Sequence, residues 1–204
     1  MSIAKDEKAA RFRVLHDGPG AFVIPNPWDV GSARILAGLG FQALATSSAA
    51  AACSLGRRDG ELTRDEAITH ARLIVDATDL PVSADLEKGF GDAPEVVAET
   101  IRVAAEAGLA GCTIEDATGN PEAPLYDLGL AVERIGAAAQ AARALPSPFV
   151  LTARAHNLLY APRAWTRPSA GCKRSKMPEP MCCLPPACPT LPPCEQSVRQ
   201  CQSL

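Results

Sequence analysis

The feature that most constrains the fold is a unit repeated five times before residue 160. It is a short apolar, often β-branched run, then a loop of small or acidic residues, then an alanine-rich amphipathic stretch. Strands are expected at residues 21–24, 43–46, 82–84, 112–114 and 149–152, and helices at 30–39, 63–78, 93–107 and 128–145. Strand followed by helix, unit after unit, implies a parallel sheet covered by helices. Two helix starts are signalled directly. Thr63 precedes Glu66 at capping-box spacing, and Asp92 stands just before the helix containing Pro94.

Such units build either an open doubly wound sheet or the front of a (β/α)8 barrel, and periodicity alone does not choose. A nucleotide-binding sheet needs a glycine-rich phosphate turn after its first strand. Residues 25–29 (PNPWD) supply no such glycines. Polar residues instead stand at the carboxyl end of nearly every expected strand: Asp29, Ser47 and Ser48, Asp85 and Glu87, Glu115 and Asp116, and Arg154. In a barrel those ends converge on one face, where barrel enzymes carry out their chemistry.

Asp85 and Glu87 lie two apart in an extended segment, so both carboxylates can face one pocket, and Glu115 at the next strand end joins them. Three neighbouring carboxylates repel one another unless a cation sits among them. Oxygen-only ligands favour Mg2+ or Mn2+. Arg154 opposite offers a bidentate grip for a carboxylate or phosphonate. The pattern points to a small anionic substrate. Each residue also has a plainer reading: strand-end acids cap helices, Ser47 and Ser48 form turns, Asp59 closes an Asx turn between Gly56 and Gly60, and Trp28 is a core or pocket-wall residue. His16 and His70 read as solvated.

Charge narrows the partner class. With 20 basic and 23 acidic residues and a pI near 5.6, the chain has no basic field for nucleic acid or an anionic membrane. The longest apolar runs are too short to span a bilayer, and residues 1–17 contain no apolar signal core. The expected location is the cytoplasm.

Five strings, in order, resemble the isocitrate lyase and phosphoenolpyruvate mutase superfamily. They are residues 22–29 (FVIPNPWD), 54–60 (SLGRRDG), 82–91 (VSADLEKGFG), 112–119 (CTIEDATG) and 151–154 (LTAR). The resemblance implies a (β/α)8 barrel whose Mg2+ (or Mn2+) is held mainly by Asp85, with Glu87 and Glu115 contributing directly or through water. It also implies that Ser47, Ser48 and Asp59 lie along the substrate and that Arg154 binds its carboxylate end. Asp59 and Arg154 are thereby the candidate catalytic residues. The implied chemistry makes or breaks a bond next to a 2-oxo acid through a pyruvate enolate, and full-length relatives would be homo-oligomers. Two departures stand out. Lyases of this kind carry a Lys-Lys-Cys-Gly-His loop where residues 116–124 (DATGNPEAP) have no cysteine, histidine or lysine, which argues against true isocitrate cleavage and against a typical mutase. His156 stands where an acid is expected.

Beyond Tyr160 the composition changes abruptly: six of the eight cysteines and nine of the eighteen prolines lie there. Residues 1–160 are therefore read as the barrel part, its first five βα units, and 161–204 as a disordered or aberrant tail. The cysteines lack Cys-x-x-Cys spacing and the tail has no histidine, which disfavours a zinc module. A reading-frame change fits better. Taking each codon from the third base of the one before, Trp165-Thr166 must give Asp, Met177-Pro178 Ala, Met181-Cys182 Val and Cys182-Cys183 Leu. Permitted codons elsewhere complete an amphipathic helix, a glycine stop and a strand.

Three functions follow as expectations. The first is a metal-dependent carbon–carbon lyase of the 2-methylisocitrate lyase type, with carbon–phosphorus mutase or hydrolase chemistry as its close alternative. The second is an inactive truncated product of the same ancestry, because a barrel without its last strands has two open edges. The third, a binding module centred on the tail, is the weakest.

Overall fold

The computed structural model describes residues 4–156 and one further strand at 182–184. In chain order the elements are α1 (Lys5–Asp17), α2 (Val30–Gly38), β1 (Leu44–Ala45), α3 (Ser48–Ser54), α4 (Arg64–Ala77), β2 (Val82–Asp85), α5 (Pro94–Glu106), β3 (Gly111–Glu115), α6 (Leu128–Arg143), β4 (Val150–Arg154) and β5 (Cys182–Leu184). The strands form one sheet in the order β1-β2-β3-β4-β5, and every neighbouring pair is parallel. This is the α/β architecture that the repeat implies.

Alternation along the strands assigns the two faces of the sheet. Val82, Ala84, Cys112, Ile114 and Leu151 share one face and join a single buried cluster with Ile68, Ala71, Ile74 and Val75 of α4, Val97 and Ile101 of α5, and Ala138 and Ala142 of α6. Full burial of each large aliphatic side chain contributes about 1.5–3 kcal/mol. Alanines on α6 keep its buried side thin, so that it packs closely on α5. The other face carries Ser83, Asp85, Thr113, Glu115, Thr152 and Arg154. Register sets Asp85 beside Thr113 and Glu115 beside Arg154.

At the amino ends of the strands, Phe12 of α1 is fully buried with Ala43, Ala110 and Val150. Gly111 makes this possible, because a Cβ there would stand 2.4 Å from the Val150 carbonyl and 2.9 Å from the Phe12 ring. Lys8 is buried as well. Its Nζ donates to the Val75 and Thr78 carbonyls at 3.1 and 2.6 Å, closing the end of α4. Burial lowers its pKa, opposed by the nearby Asp79 and Asp76.

Thr63 and Glu66 form the expected capping box, and Pro94 occupies the first turn of α5. Asp92 does not cap α5 with its side chain, contrary to its position in sequence; it is taken by Lys88 and Tyr126 instead. Residues 21–24 form no strand. They lead to the side of β1, where Ala45 N donates to Pro25 O at 3.1 Å. Proline at 25 and 27 removes the donors a longer ladder needs. Trp28 is 53% exposed, not core. Its carbonyl accepts from Nε2 of His70 at 2.8 Å, and that histidine is 9% exposed and not solvated as its helical context suggested. His16 is half-buried, packed edge-on against Phe12 and Phe22.

Most of the expected tail, including the bulk of the frame-shifted reading, lies outside the described residues, as do strands six to eight of a barrel and a zinc module. The exception is β5. Its backbone pairs with Thr152, Ala153 and Arg154 of β4.

Candidate active site

Asp85 ends β2, and its carboxylate gathers groups from four directions. Oδ2 accepts from Ser48 Oγ and from Arg154 Nη1, both at 3.1 Å. Oδ1 accepts from Glu87 N at 3.1 Å and from Thr113 Oγ1 at 3.4 Å. Its own N–H donates to Thr46 Oγ1 at 3.2 Å, tying β2 to the end of β1. Glu115, at the end of β3, lies 3.6 Å from Arg154 Nη1. Asp85, Glu115 and Arg154 thus meet where three neighbouring strands end.

Glu87 stands two residues beyond Asp85 on a loop whose backbone is unusual: Glu87 and Phe90 have φ of 50° and 62°, flanking Gly89 at 87°. Left-handed conformation at a non-glycine residue costs about 1–2 kcal/mol. The Glu87 carbonyl accepts from Glu115 N at 2.9 Å, so this turn is pinned to β3. Burial pushes the Glu87 carboxyl up to about 7, and the charges of Asp59, Asp85 and Glu115 push the same way against Lys88. The charge of Asp59 therefore reaches the cluster although its side chain lies on an exposed loop. Ser47 caps α3, accepting from Ala50 N at 3.3 Å, while Ser48 points to Asp85. Asp29 caps α2 through Ser32 and belongs to that helix, not to this cluster.

Two residues that the sequence marks without giving them a role join the cluster. Asp116 accepts from His156 N at 2.7 Å, and burial raises its carboxyl pKa. His156 Nε2 lies 3.1 Å from Glu115 Oε2, out of line for a hydrogen bond. The only signal for His156 in the sequence is its spacing, two residues after Arg154. It lies just beyond the end of β4, beside Glu115.

The donor chemistry fits a hard divalent cation: oxygen ligands only, part-buried, and one carboxyl pushed up to about 7 by burial and then by its acidic neighbours. Among the described residues no three His, Cys, Asp or Glu side chains converge with ligand geometry. Mg2+ does not require that, since it keeps several waters and uses one or two carboxylates. Arg154 is the cation that the acids surround in this structure.

The phosphoenolpyruvate phosphomutase family model matches residues 12–175. Among solved structures, a lyase/mutase-like protein of Burkholderia cenocepacia J2315 is 56% identical with a TM-score of 0.80, over 82% of this chain and 60% of that one. A 2,3-dimethylmalate lyase, a member of the PEP mutase/isocitrate lyase superfamily, is 30% identical with a TM-score of 0.73, over 81% and 59%. Of curated relatives, the 2-methylisocitrate lyase of Bacillus subtilis (strain 168) is 36% identical over 55% of this chain and 38% of its own length. An uncharacterised Mycobacterium tuberculosis H37Rv protein is 35% identical over 63% and 48%. The chain thus spans half or less of the curated relatives it matches. A family model that covers most of the chain, together with a parallel sheet that superposes on those neighbours, leaves one assignment: the chain belongs to the phosphoenolpyruvate phosphomutase family, within the isocitrate lyase/PEP mutase superfamily of (β/α)8-barrel lyases and phosphonomutases.

Proposed function

We propose that this chain carries the front half of the active site of a Mg2+- or Mn2+-dependent lyase acting on a small 2-oxo or 2-hydroxy carboxylic acid. The observation that carries the proposal is the meeting of Asp85, Glu115 and Arg154 at three adjacent strand ends, with Glu87 and Ser48 beside them. Asp85 is the residue proposed to hold the cation, with Glu87 and Glu115 contributing directly or through water. When bound, the cation supplies Lewis acidity to the oxygens of a 2-oxo acid.

The remaining roles belong to the chain's own groups. Arg154 is part-buried and keeps donors in a planar fork, so an incoming carboxylate competes with Asp85 and Glu115 for it. Ser48 Oγ and the capped turn at Ser47 orient the other oxygens. Asp59 faces the substrate from the loop above. On a 2-hydroxy acid, the hydroxyl gives up its proton and its carbon becomes the carbonyl of the 2-oxo product, while the electron pair of the broken carbon–carbon bond stays on the other fragment as the enediolate of its carboxylate and is then protonated. On a 2-oxo acid the pair stays on the three-carbon fragment as pyruvate enolate, which is protonated to pyruvate. Positive charge fixed at Arg154 lowers the energy of the developing oxyanion.

Carbon–phosphorus chemistry is the second reading, favoured by residues 116–124. This loop lacks the cysteine and histidine of the lyase pattern, although it also lacks the lysine of a typical mutase, and it is closed by Tyr126 N donating to Asp116 O at 3.0 Å. Purified protein with Mg2+ assayed against 2-methylisocitrate, 2,3-dimethylmalate, oxaloacetate and phosphonopyruvate separates the two. Pyruvate release from a dicarboxylate or tricarboxylate is the expected result. Turnover of phosphonopyruvate alone reverses the assignment, and equal activity in excess EDTA removes the metal from it.

A further inference from the structure

Arg134 lies on α6, away from the strand-end cluster, yet it is one of the most deeply buried side chains in the chain, 1% exposed. Its guanidinium does not face a core carboxylate. It donates to three backbone carbonyls of the loop between β2 and α5: Gly91 at 2.6 Å, and Lys88 and Asp92 at closer approach. A buried cation carries a desolvation cost that an apolar side chain of similar volume avoids, so packing alone does not account for an arginine here. Three carbonyls turned toward one point require a donor with several N–H groups in a plane, and only arginine supplies that.

The loop so gripped is the one that carries Glu87. It holds two non-glycine residues in left-handed conformation, Glu87 and Phe90, and its other ties include Glu115 N to Glu87 O and Thr100 Oγ1 to Gly89 O, both at 2.9 Å, and Lys88 Nζ to Thr118 O at 2.9 Å. Tyr126 completes the assembly. Its ring lies under the Arg134 guanidinium at 4.0 Å, its hydroxyl donates to Asp92, and its N–H donates to Asp116 O at 3.0 Å. Arg134 and Tyr126 thereby join the loops that follow β2 and β3, which bear Glu87 and Asp116.

We infer that Arg134 is a positioning residue: by holding the carbonyls of Lys88, Gly91 and Asp92 it keeps the Glu87 turn, and so the Glu87 carboxylate, aimed at Asp85 and Glu115. Tyr126 orients the guanidinium. This rests on the metal reading above for its functional half, whereas the grip on the loop stands without it. Arginine to lysine keeps the charge and loses the fork, which makes Arg134→Lys the informative variant.

The test uses the whole chain and Mn2+ as the probe, with two readouts. Calorimetric titration measures Mn2+ affinity, and amide exchange without metal follows Gly89 N–H, bonded to Leu86 O at 2.8 Å, against Leu44 N–H in β1, bonded to Pro81 O at 3.0 Å. For Arg134→Lys we expect Mn2+ affinity at least tenfold weaker, Gly89 exchange at least tenfold faster, and Leu44 exchange and the metal-free Tm nearly unchanged. Tyr126→Phe, which keeps the ring and loses the bond to Asp92, should weaken Mn2+ by about threefold. Wild-type exchange at Gly89 in Arg134→Lys overturns the inference, and so does wild-type Mn2+ affinity in a folded variant. If Arg134→Lys does not fold, Tyr126→Phe decides: unchanged affinity and unchanged Gly89 exchange overturn the claim, and a selective change in both supports it. Failure of the metal reading looks different. There the wild type and Asp85→Asn bind Mn2+ equally poorly, while Gly89 exchange still reports whether Arg134 grips the loop.

Discussion

The loops that follow β1 and β2 both contribute acids to the same cluster, but they are built in opposite ways. After β1, residues 53–61 are exposed throughout, and the ion pairs that cross them, Arg58–Glu61 and Arg57–Glu66, lie at the surface. Pairs of that kind contribute about 0–1 kcal/mol each. After β2, the loop is bound through its own carbonyls to Arg134 and Thr100 and through Glu87 O to β3. The second loop is fixed before any ligand arrives, and the first is cheap to move. On the proposed reading, the fixed loop carries Glu87, a candidate cation ligand, and the exposed one carries Asp59, a candidate substrate contact.

The largest effect tests the fixed side. Asp85→Ala removes the acceptor shared by Ser48, Arg154, Thr113 and the Glu87 N–H, leaving Arg154 with Glu115 alone. We expect Mn2+ affinity to fall by at least a hundredfold and catalysis to be abolished. Calorimetry with the metal, beside activity assays in Mg2+ and in EDTA, checks this. Retained affinity would mean that the cluster is an arginine-neutralised structural site.

Next comes a matched pair of glycines, one in each loop. Gly60 and Gly89 have nearly the same backbone, φ of 81° and 87°. A Cβ on Gly60 meets nothing within 4 Å, whereas on Gly89 it stands 3.0 Å from Val97 Cγ1. Gly60→Ala should cost about 1 kcal/mol from the left-handed backbone alone, and Gly89→Ala about 2–3 kcal/mol, because crowding against buried Val97 is added. Urea denaturation measures both. Equal costs would show that the β2 loop yields as easily as the β1 loop and would dissolve the contrast.

Much of this arrangement could be read from the sequence, and the parts that could not have physical reasons. Four of the expected strands and all four expected helices are present because alternation and amphipathic spacing are local signals. The capping box at Thr63 and Glu66 was legible for the same reason. Residues 21–24 have the composition of a strand but lack a ladder, since pairing depends on prolines next to them and on partners far away. Helix α1 hides behind its charges; its buried side is Lys8, Ala9 and Phe12, and a buried lysine at that helix end looks like solvent-facing sequence. The acids Asp85, Glu87 and Glu115 stood out through their place at strand ends. Arg134 did not, because its three acceptors are backbone carbonyls some forty residues away, and backbone carbonyls leave no mark in a sequence.

A smaller effect probes the hinge between the free loop and its helix. Thr63 ends the exposed stretch and starts α4, accepting from Glu66 N at 3.3 Å while Glu66 accepts from Thr63 N at 2.9 Å. Thr63→Ala removes one half of this box and should cost about 1 kcal/mol. Thermal denaturation of the metal-free protein checks it, and Mn2+ affinity should stay within about twofold of wild type, because no part of the β2 loop depends on Thr63.

The smallest expected change in stability belongs to the residue with the most to say about the free loop. Asp59 is exposed, and its charge adds to the repulsion felt by Glu87. Replacing it with asparagine keeps the shape, removes one charge from an already acidic cluster, and breaks no buried contact. Stability should therefore stay within about 0.5 kcal/mol of wild type or rise slightly. Mn2+ affinity should fall only a few-fold, since the charge acts from the far side of the cluster. Turnover should fall much more, at least tenfold, if Asp59 contacts the substrate, and the loss should be in kcat rather than in metal dependence. Measuring kcat and KM at saturating Mg2+ for wild type and Asp59→Asn separates these outcomes. A loss confined to Mg2+ affinity would make Asp59 one more remote charge near the cation, and the contrast between the two loops would then carry no difference in function.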